Sequence, residues 1–118
     1  MTKSITIEDL RQHKKKKTKF ACLTAYDASL SRLMSEAGVE LILVGDSLGM
    51  VVQGKANTLS VTVDQMVYHG AAVSSATQRA HVTVDMPFIS YHISPEEAVR
   101  NAGRLVAEGG AHSVKLEG

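Results

Sequence analysis

The strongest constraint on this chain is a pattern used three times, a short apolar run that ends in an acid. Leu41-Ile-Leu-Val44 runs into Gly45-Asp46-Ser47-Leu48-Gly49, His81 to Val84 closes on Asp85-Met86-Pro87-Phe88, and His112 to Leu116 delivers Glu117. Runs of this length, rich in branched side chains, have the character of buried parallel strands. The segments between them have helical character. The spacing therefore predicts parallel strands joined by crossover helices, and parallel sheets place ligands at the carboxyl ends of their strands.

In chain order, Thr6 to about Lys17 reads as an amphipathic helix with Thr6 as cap and Ile7 and Leu10 on one face. Lys19 to Thr24 is a first strand, closing at Ala25-Tyr26-Asp27. Leu30, Leu33, Met34 and Ala37 follow the i, i+3, i+4, i+7 pattern of a helix with one buried face, which Gly38 stops. Asp27 suits its N-cap. Glu40 to Val44 is the second strand, and Val51 to Leu59 has no helical period and reads as a rim loop. Thr62-x-x-Gln65 resembles a capping box for a helix reaching about Gln78, with Val63, Met66, Val67, Gly70, Ala71 and Ser74 inward. The third strand is His81 to Val84. Ser94-Pro95-Glu96-Glu97 combines a Ser cap with Pro at the first helical position, and that helix ends at Gly109-Gly110 before the fourth strand. The predicted fold is α/β, with four βα units making half of an eight-stranded parallel barrel. The first helix covers the amino-terminal mouth. The expected organisation is one domain, residues 1–18 capping and residues 19–118 carrying strands one to four.

Composition removes several functions. The 118 residues carry a net charge of +1, which does not suit a general nucleic-acid or membrane-surface binder. The one basic run, Arg11 to Lys19, reads as a solvated helix end. Cys22 is the single cysteine, so an internal disulfide is excluded, and its apolar setting predicts a buried, inert thiol. No run approaches the roughly 20 apolar residues of a membrane span, and the amino terminus lacks a signal-peptide core. A cytoplasmic protein is expected.

Neighbouring parallel strands are about 4.8 Å apart, so acids at successive strand ends converge on one site. Carboxylates that close repel unless a cation lies between them, and an all-oxygen donor set favours a hard ion such as Mg²⁺. Asp46, Asp85 and Glu117 are the candidate metal ligands. Lys115 shares a side of its strand with Glu117 and suits an anionic substrate group. Ser47 follows Asp46, where its hydroxyl or N–H can hold the same anion; a turn hydroxyl bonded to local backbone is the competing reading. His13, His69, His81, His92 and His112 read as structural or solvated, and no pair has zinc spacing.

Thr24-Ala-Tyr-Asp27, Val44-Gly-Asp-Ser-Leu-Gly-Met50 with Val52-Gln-Gly54, Leu59 to Val63, Asp85-Met-Pro-Phe88 and Val114-Lys-Leu-Glu-Gly118 occur in the order and spacing of one known family. From about Lys19 onward the chain resembles ketopantoate hydroxymethyltransferase, in its amino-terminal half. The resemblance implies a (β/α)₈ TIM barrel of the phosphoenolpyruvate/pyruvate type that uses Mg²⁺. It implies transfer of a hydroxymethyl group from methylene-tetrahydrofolate to the 2-oxo acid α-ketoisovalerate (3-methyl-2-oxobutanoate), giving ketopantoate for pantothenate biosynthesis. Asp46 and Asp85 become metal ligands that also meet substrate, Glu117 completes the metal site directly or through water, and Ser47 and Lys115 hold the substrate carboxylate. The family's general base, a glutamate of the second half, has no counterpart here. The 118-residue chain is accordingly expected to be a truncation, inactive by itself, and a homo-oligomer when whole. Two alternatives stand beside this one: an Mg-dependent lyase or mutase of the phosphoenolpyruvate superfamily, and a non-catalytic half-barrel that assembles with a partner.

Overall fold

The computed structural model describes residues 3–118. Four strands, β1 (Cys22–Thr24), β2 (Leu41–Val44), β3 (His81–Asp85) and β4 (Ser113–Lys115), form one sheet in the order β1-β2-β3-β4, every neighbouring pair parallel. The helices are α1 (Ile7–Lys15), α2 (Ala28–Glu36), α3 (Leu48–Val51), α4 (Val63–Ala76) and α5 (Pro95–Ala107). Among the described residues none of the helices is long and apolar enough to cross a membrane.

The register explains both the core and the site. Ile42 aligns with Val82, and Val44 with Val84, and all four are fully buried on the face that α4 covers. Met66 and Val73 of α4 and Leu105 of α5 complete that core. The alternate positions look the other way. Thr83 aligns with Ser113, and their hydroxyls bond at 2.8 Å; two residues on, Asp85 aligns with Lys115. The period of two thus carries an apolar layer on one face and ends the other in charge.

Local signals form as the sequence predicts. Thr6 with Asp9, and Thr62 with Gln65, make complete capping boxes; Ser94 accepts the Glu97 N–H with Pro95 beginning the helix. Asp27 caps α2 through the Leu30 N–H at 2.8 Å. The segment before α1 ties that helix to the amino ends of the strands, where the Ile5 N–H donates to the Arg79 carbonyl and the buried His81 donates from Nδ1 to Ile5 O.

Three readings need correction. Strand β1 is three residues long, not six, and Cys22 is exposed, because β1 is an outer strand with no described neighbour on its far side. Helix α2 buries Ser31 rather than its leucines: it lies against α4, and Leu30 and Leu33 are left on a flank that no described element covers. In α4 the buried set is Met66, Gly70, Val73 and Ala76, while Val63, Val67, Ala71 and Ser74 are half-buried. Gly70 is needed there, since a Cβ would sit 3.0 Å from the Gly109 carbonyl oxygen.

Leu105, fully buried, joins α5 to the sheet. Leu105→Ala is expected to cost about 2–5 kcal/mol, the range for a leucine truncated in a core that relaxes only in part. Urea unfolding measures it.

Candidate active site

The carboxyl ends of β2, β3 and β4 bring Asp46, Asp85 and Glu117 together, each offering a carboxylate oxygen within 4.8 Å of the others. Asp85 is the anchor. It is 2% exposed; its Oδ2 accepts the Asp46 backbone N–H at 3.0 Å, and its Oδ1 has no well-formed hydrogen bond, only the Lys115 Nζ at 3.2 Å. The same ammonium lies 2.9 Å from Glu117 Oε1. Lys115 therefore sits among the acids as their internal countercharge.

The turn after β2 is built to bring Asp46 and Ser47 in. A Cβ on Gly45 would stand 2.8 Å from Ser47 Oγ, so a side chain there would displace the Ser47 hydroxyl. Ser47 stands at the N-cap of the four-residue α3, yet its hydroxyl makes no cap bond; it bonds the Tyr26 hydroxyl at 2.8 Å. That removes the local turn role as an account of Ser47. Helix α3, Leu48–Val51, takes only Val51 from the rim loop expected over Val51 to Leu59, which otherwise runs from Val52 as read.

Burial pushes the Asp46 carboxyl above its ordinary 3.8, the neighbouring Asp85 and Glu117 charges push it further, and Lys115 opposes them. Asp85 is raised by burial, against the pull of the Asp46 N–H and of Lys115. The Lys115 ammonium is held above its ordinary 10.5, first by its bond to Glu117 and also by Asp85. Three acids competing for one internal cation form a site short of positive charge. An oxygen-only donor set with a buried oxygen lacking a hydrogen bond suits a hard divalent ion.

All five sequence-predicted residues, Asp46, Ser47, Asp85, Lys115 and Glu117, reach this rim. Two tyrosines join them that the acid pattern does not indicate as contacts: Tyr26, bonded to Ser47, and Tyr91, whose phenol oxygen accepts the Glu117 N–H at 2.9 Å. Tyr26 closes the first strand, so the strand-end rule places it at the rim without naming its partner Ser47; Tyr91 lies in a loop, and no spacing rule reaches it. The histidines have structural partners. His69 donates from Nδ1 to Tyr26 O at 2.7 Å, and His81 and His112 lie at the opposite ends of the strands. A cleft of about 530 Å³ lies at that opposite end, between α1 and the strand starts, lined by Asp9, Gln12, Glu40 and Arg79 among others. Volume does not locate the chemistry in this chain; charge does.

Solved structures share this architecture. The chain superposes on phosphonopyruvate hydrolase, in a complex with oxalate and Mg²⁺, with TM-score 0.72 and 16% identity over 97% of this chain and 38% of that one. For 2,3-dimethylmalate lyase, a member of the PEP mutase/isocitrate lyase superfamily, the values are 0.66, 17%, 97% and 37%. At such identities the likeness shows the fold, the parallel α/β barrel of that superfamily, of which this chain provides four strands. Sequence is more specific. The family described as ketopantoate hydroxymethyltransferase matches residues 4–118. A 3-methyl-2-oxobutanoate hydroxymethyltransferase of Methylococcus capsulatus is 58% identical over all of this chain and 44% of its own length, and one of Clostridioides difficile is 53% identical over 96% and 41%. The chain belongs to the ketopantoate hydroxymethyltransferase family, and spans less than half the length of these curated relatives.

The raised Asp46 carboxyl gives a signed prediction. A carboxyl that holds its proton more tightly when folded contributes stability below its unfolded pKa, and that contribution is lost as pH rises through the folded value. In protein stripped of divalent cations, Asp46→Asn is therefore expected to raise the urea midpoint at neutral pH. The gain should vanish below the ordinary aspartate value of 3.8. Added Mg²⁺ should stabilise the parent more than the variant.

Proposed function

We propose that this chain provides strands one to four, with residues 1–18 as a cap, of a single-barrel enzyme that transfers a hydroxymethyl group from methylene-tetrahydrofolate to 3-methyl-2-oxobutanoate. The observation that carries the reading is the meeting of three carboxylates and one ammonium at the strand ends, in a member of this family. The name of the Methylococcus relative supports the substrate, and the Mg²⁺ in the phosphonopyruvate hydrolase structure supports the ion.

In this reading Asp46, Asp85 and Glu117 hold Mg²⁺, with Asp46 and Asp85 also facing the substrate. The ion supplies Lewis acidity that lowers the pKa of the C–H next to the 2-oxo group. The chain's own residues bind and orient. With a divalent ion sharing the acids' charge, the Lys115 ammonium could pair with the substrate carboxylate as well as with the acids. Ser47, its oxygen engaged by Tyr26, can turn its own O–H toward the same carboxylate. Loss of the C3 proton to a general base leaves an electron pair that forms the new C–C bond to the methylene carbon. Of the two C–N bonds to that carbon, one gives way to the new C–C bond and the other to a C–O bond from water, while the two nitrogens take up the C3 proton and one water proton, so that ketopantoate and tetrahydrofolate leave. We place the base in the part of the barrel that the relatives' further length represents. A cytoplasmic location and assembly as a homo-oligomer belong to the same proposal; exposed Leu23, Leu30, Leu33 and Leu116 are apolar surface available for covering.

The test is product formation by the protein that the whole reading frame encodes. Ketopantoate that appears only with methylene-tetrahydrofolate and Mg²⁺ supports the reading, whereas folate-independent cleavage of a 2-oxo acid would replace it with the lyase alternative. Lys115→Met is expected to raise KM for the 2-oxo acid by about 10- to 100-fold, the factor for one lost charged hydrogen bond. In D₂O with Mg²⁺ and substrate, the 118-residue polypeptide should leave the C3 proton in place while the whole protein exchanges it. Deuteration by the shorter chain would put the base among these residues.

A further inference from the structure

Glu117 is the least anchored of the three acids. It lies two residues beyond the end of β4, and the last ladder bond runs from the Met86 N–H to Lys115 O, so the strand itself does not fix it. Its carboxylate is half exposed. Among the described residues, the bond to its backbone is the 2.9 Å one from its N–H to the phenol oxygen of Tyr91, 26 residues earlier in the chain.

Tyr91 is itself held with unusual thoroughness. Its ring packs on the core and stacks on His92, with centroids 4.2 Å apart and planes at 28°. His92 Nδ1 accepts the Ile89 N–H at 3.1 Å, the Ser90 N–H and Oγ both donate to Pro87 O, and Asn101 of α5 donates to Ser90 O at 2.7 Å. The turn these bonds enclose contains Ile89 at φ +73. A β-branched residue in the left-handed region is a rare, strained conformation, and such residues persist where the surroundings over-determine them, often at functional sites. Here the reversal at Ile89 precedes the tyrosine that reaches Glu117.

We propose that Tyr91 is a positioning residue of the acidic site, holding Glu117 through its backbone N–H so that the third carboxylate stays within reach of Asp46 and Asp85. The inference rests on the metal-site reading above and adds a residue to it. Tyr91 is not one of the three acids that would hold the ion. It acts through Glu117, and the strained Ile89 turn is the cost of aiming it there.

The experiment uses the protein encoded by the whole reading frame, as the parent, Tyr91→Phe, Glu117→Gln and the double variant, with Mn²⁺ as probe and its affinity read by electron paramagnetic resonance. Tyr91→Phe keeps the ring, its stacking and its packing and removes only the acceptor oxygen. It should weaken Mn²⁺ binding about three- to tenfold, the factor of one ordinary hydrogen bond, with an unchanged melting temperature. In the Glu117→Gln background the same change should have no further effect, because the side chain it positions no longer carries the charge. Parent-like Mn²⁺ affinity in Tyr91→Phe, or an equal loss in both backgrounds, overturns the proposal. A parent that binds no Mn²⁺ sinks the metal reading and the proposal together, which separates the two failures.

Discussion

Asp85 is 2% exposed, and a carboxylate at that depth is stable only if its oxygens are provided for. One oxygen has the Asp46 N–H; the other faces the Lys115 ammonium without a proper hydrogen bond. Both partners are set by parallel register. Val44 aligns with Val84, which brings the turn after β2 over Asp85, and Asp85 aligns directly with Lys115. A slip of one residue in either pairing would turn the site side chains to the helix-covered face. The apolar layer of Ile42, Val44, Val82 and Val84 prevents that slip, so the core specifies the site by fixing the register.

That dependence also explains which features were legible in the sequence. Strand-end acids show because a period of two and a run length of four or five are local, as are the caps at Thr6, Thr62 and Ser94, which need only a hydroxyl and a residue three positions on. The convergence of Asp46, Asp85 and Glu117 follows from strand spacing alone. Fine placement did not follow. The α2 pattern at Leu30, Leu33 and Met34 describes an apolar stripe correctly, but which side of the stripe is covered depends on α4, 30 to 40 residues away in sequence. Cys22 is exposed for the same reason: an outer strand has apolar residues without apolar neighbours. Helix α3 was not anticipated because four residues that include Gly49 carry little helical signal; the turn exists because Gly45 lets Ser47 approach.

The tyrosines mark a different boundary. Tyr26 and Tyr91 lie on different loops, 65 residues apart, and each meets one member of the acid rim through its hydroxyl. Nothing in a tyrosine's neighbours announces such a role, since phenols are common in half-buried loops and the partner is chosen by tertiary structure. The strain at Ile89 is equally silent in sequence, because isoleucine is a residue one would place in a strand.

The balance of charge ties these pieces to chemistry. When all three acids are ionised, Lys115 neutralises one of them and leaves two negative charges, the complement of a single divalent cation. The upward displacement of the Asp46 and Asp85 carboxyls has the same origin, burial without sufficient positive charge. A rim arranged in this way is poor at being a stable protein surface and well suited to taking up a cation, which then shares the acids' charge with the one ammonium. In the proposed reaction that is the moment the ammonium is useful, because the substrate brings a carboxylate of its own. Lys115 can serve both states only if its reach is flexible while the acids are not. The structure divides the labour in that sense: Asp85 is buried and register-locked, Asp46 follows a glycine that leaves room for the Ser47 hydroxyl, Glu117 is tied to Tyr91, and Lys115 remains on a long, partly exposed side chain.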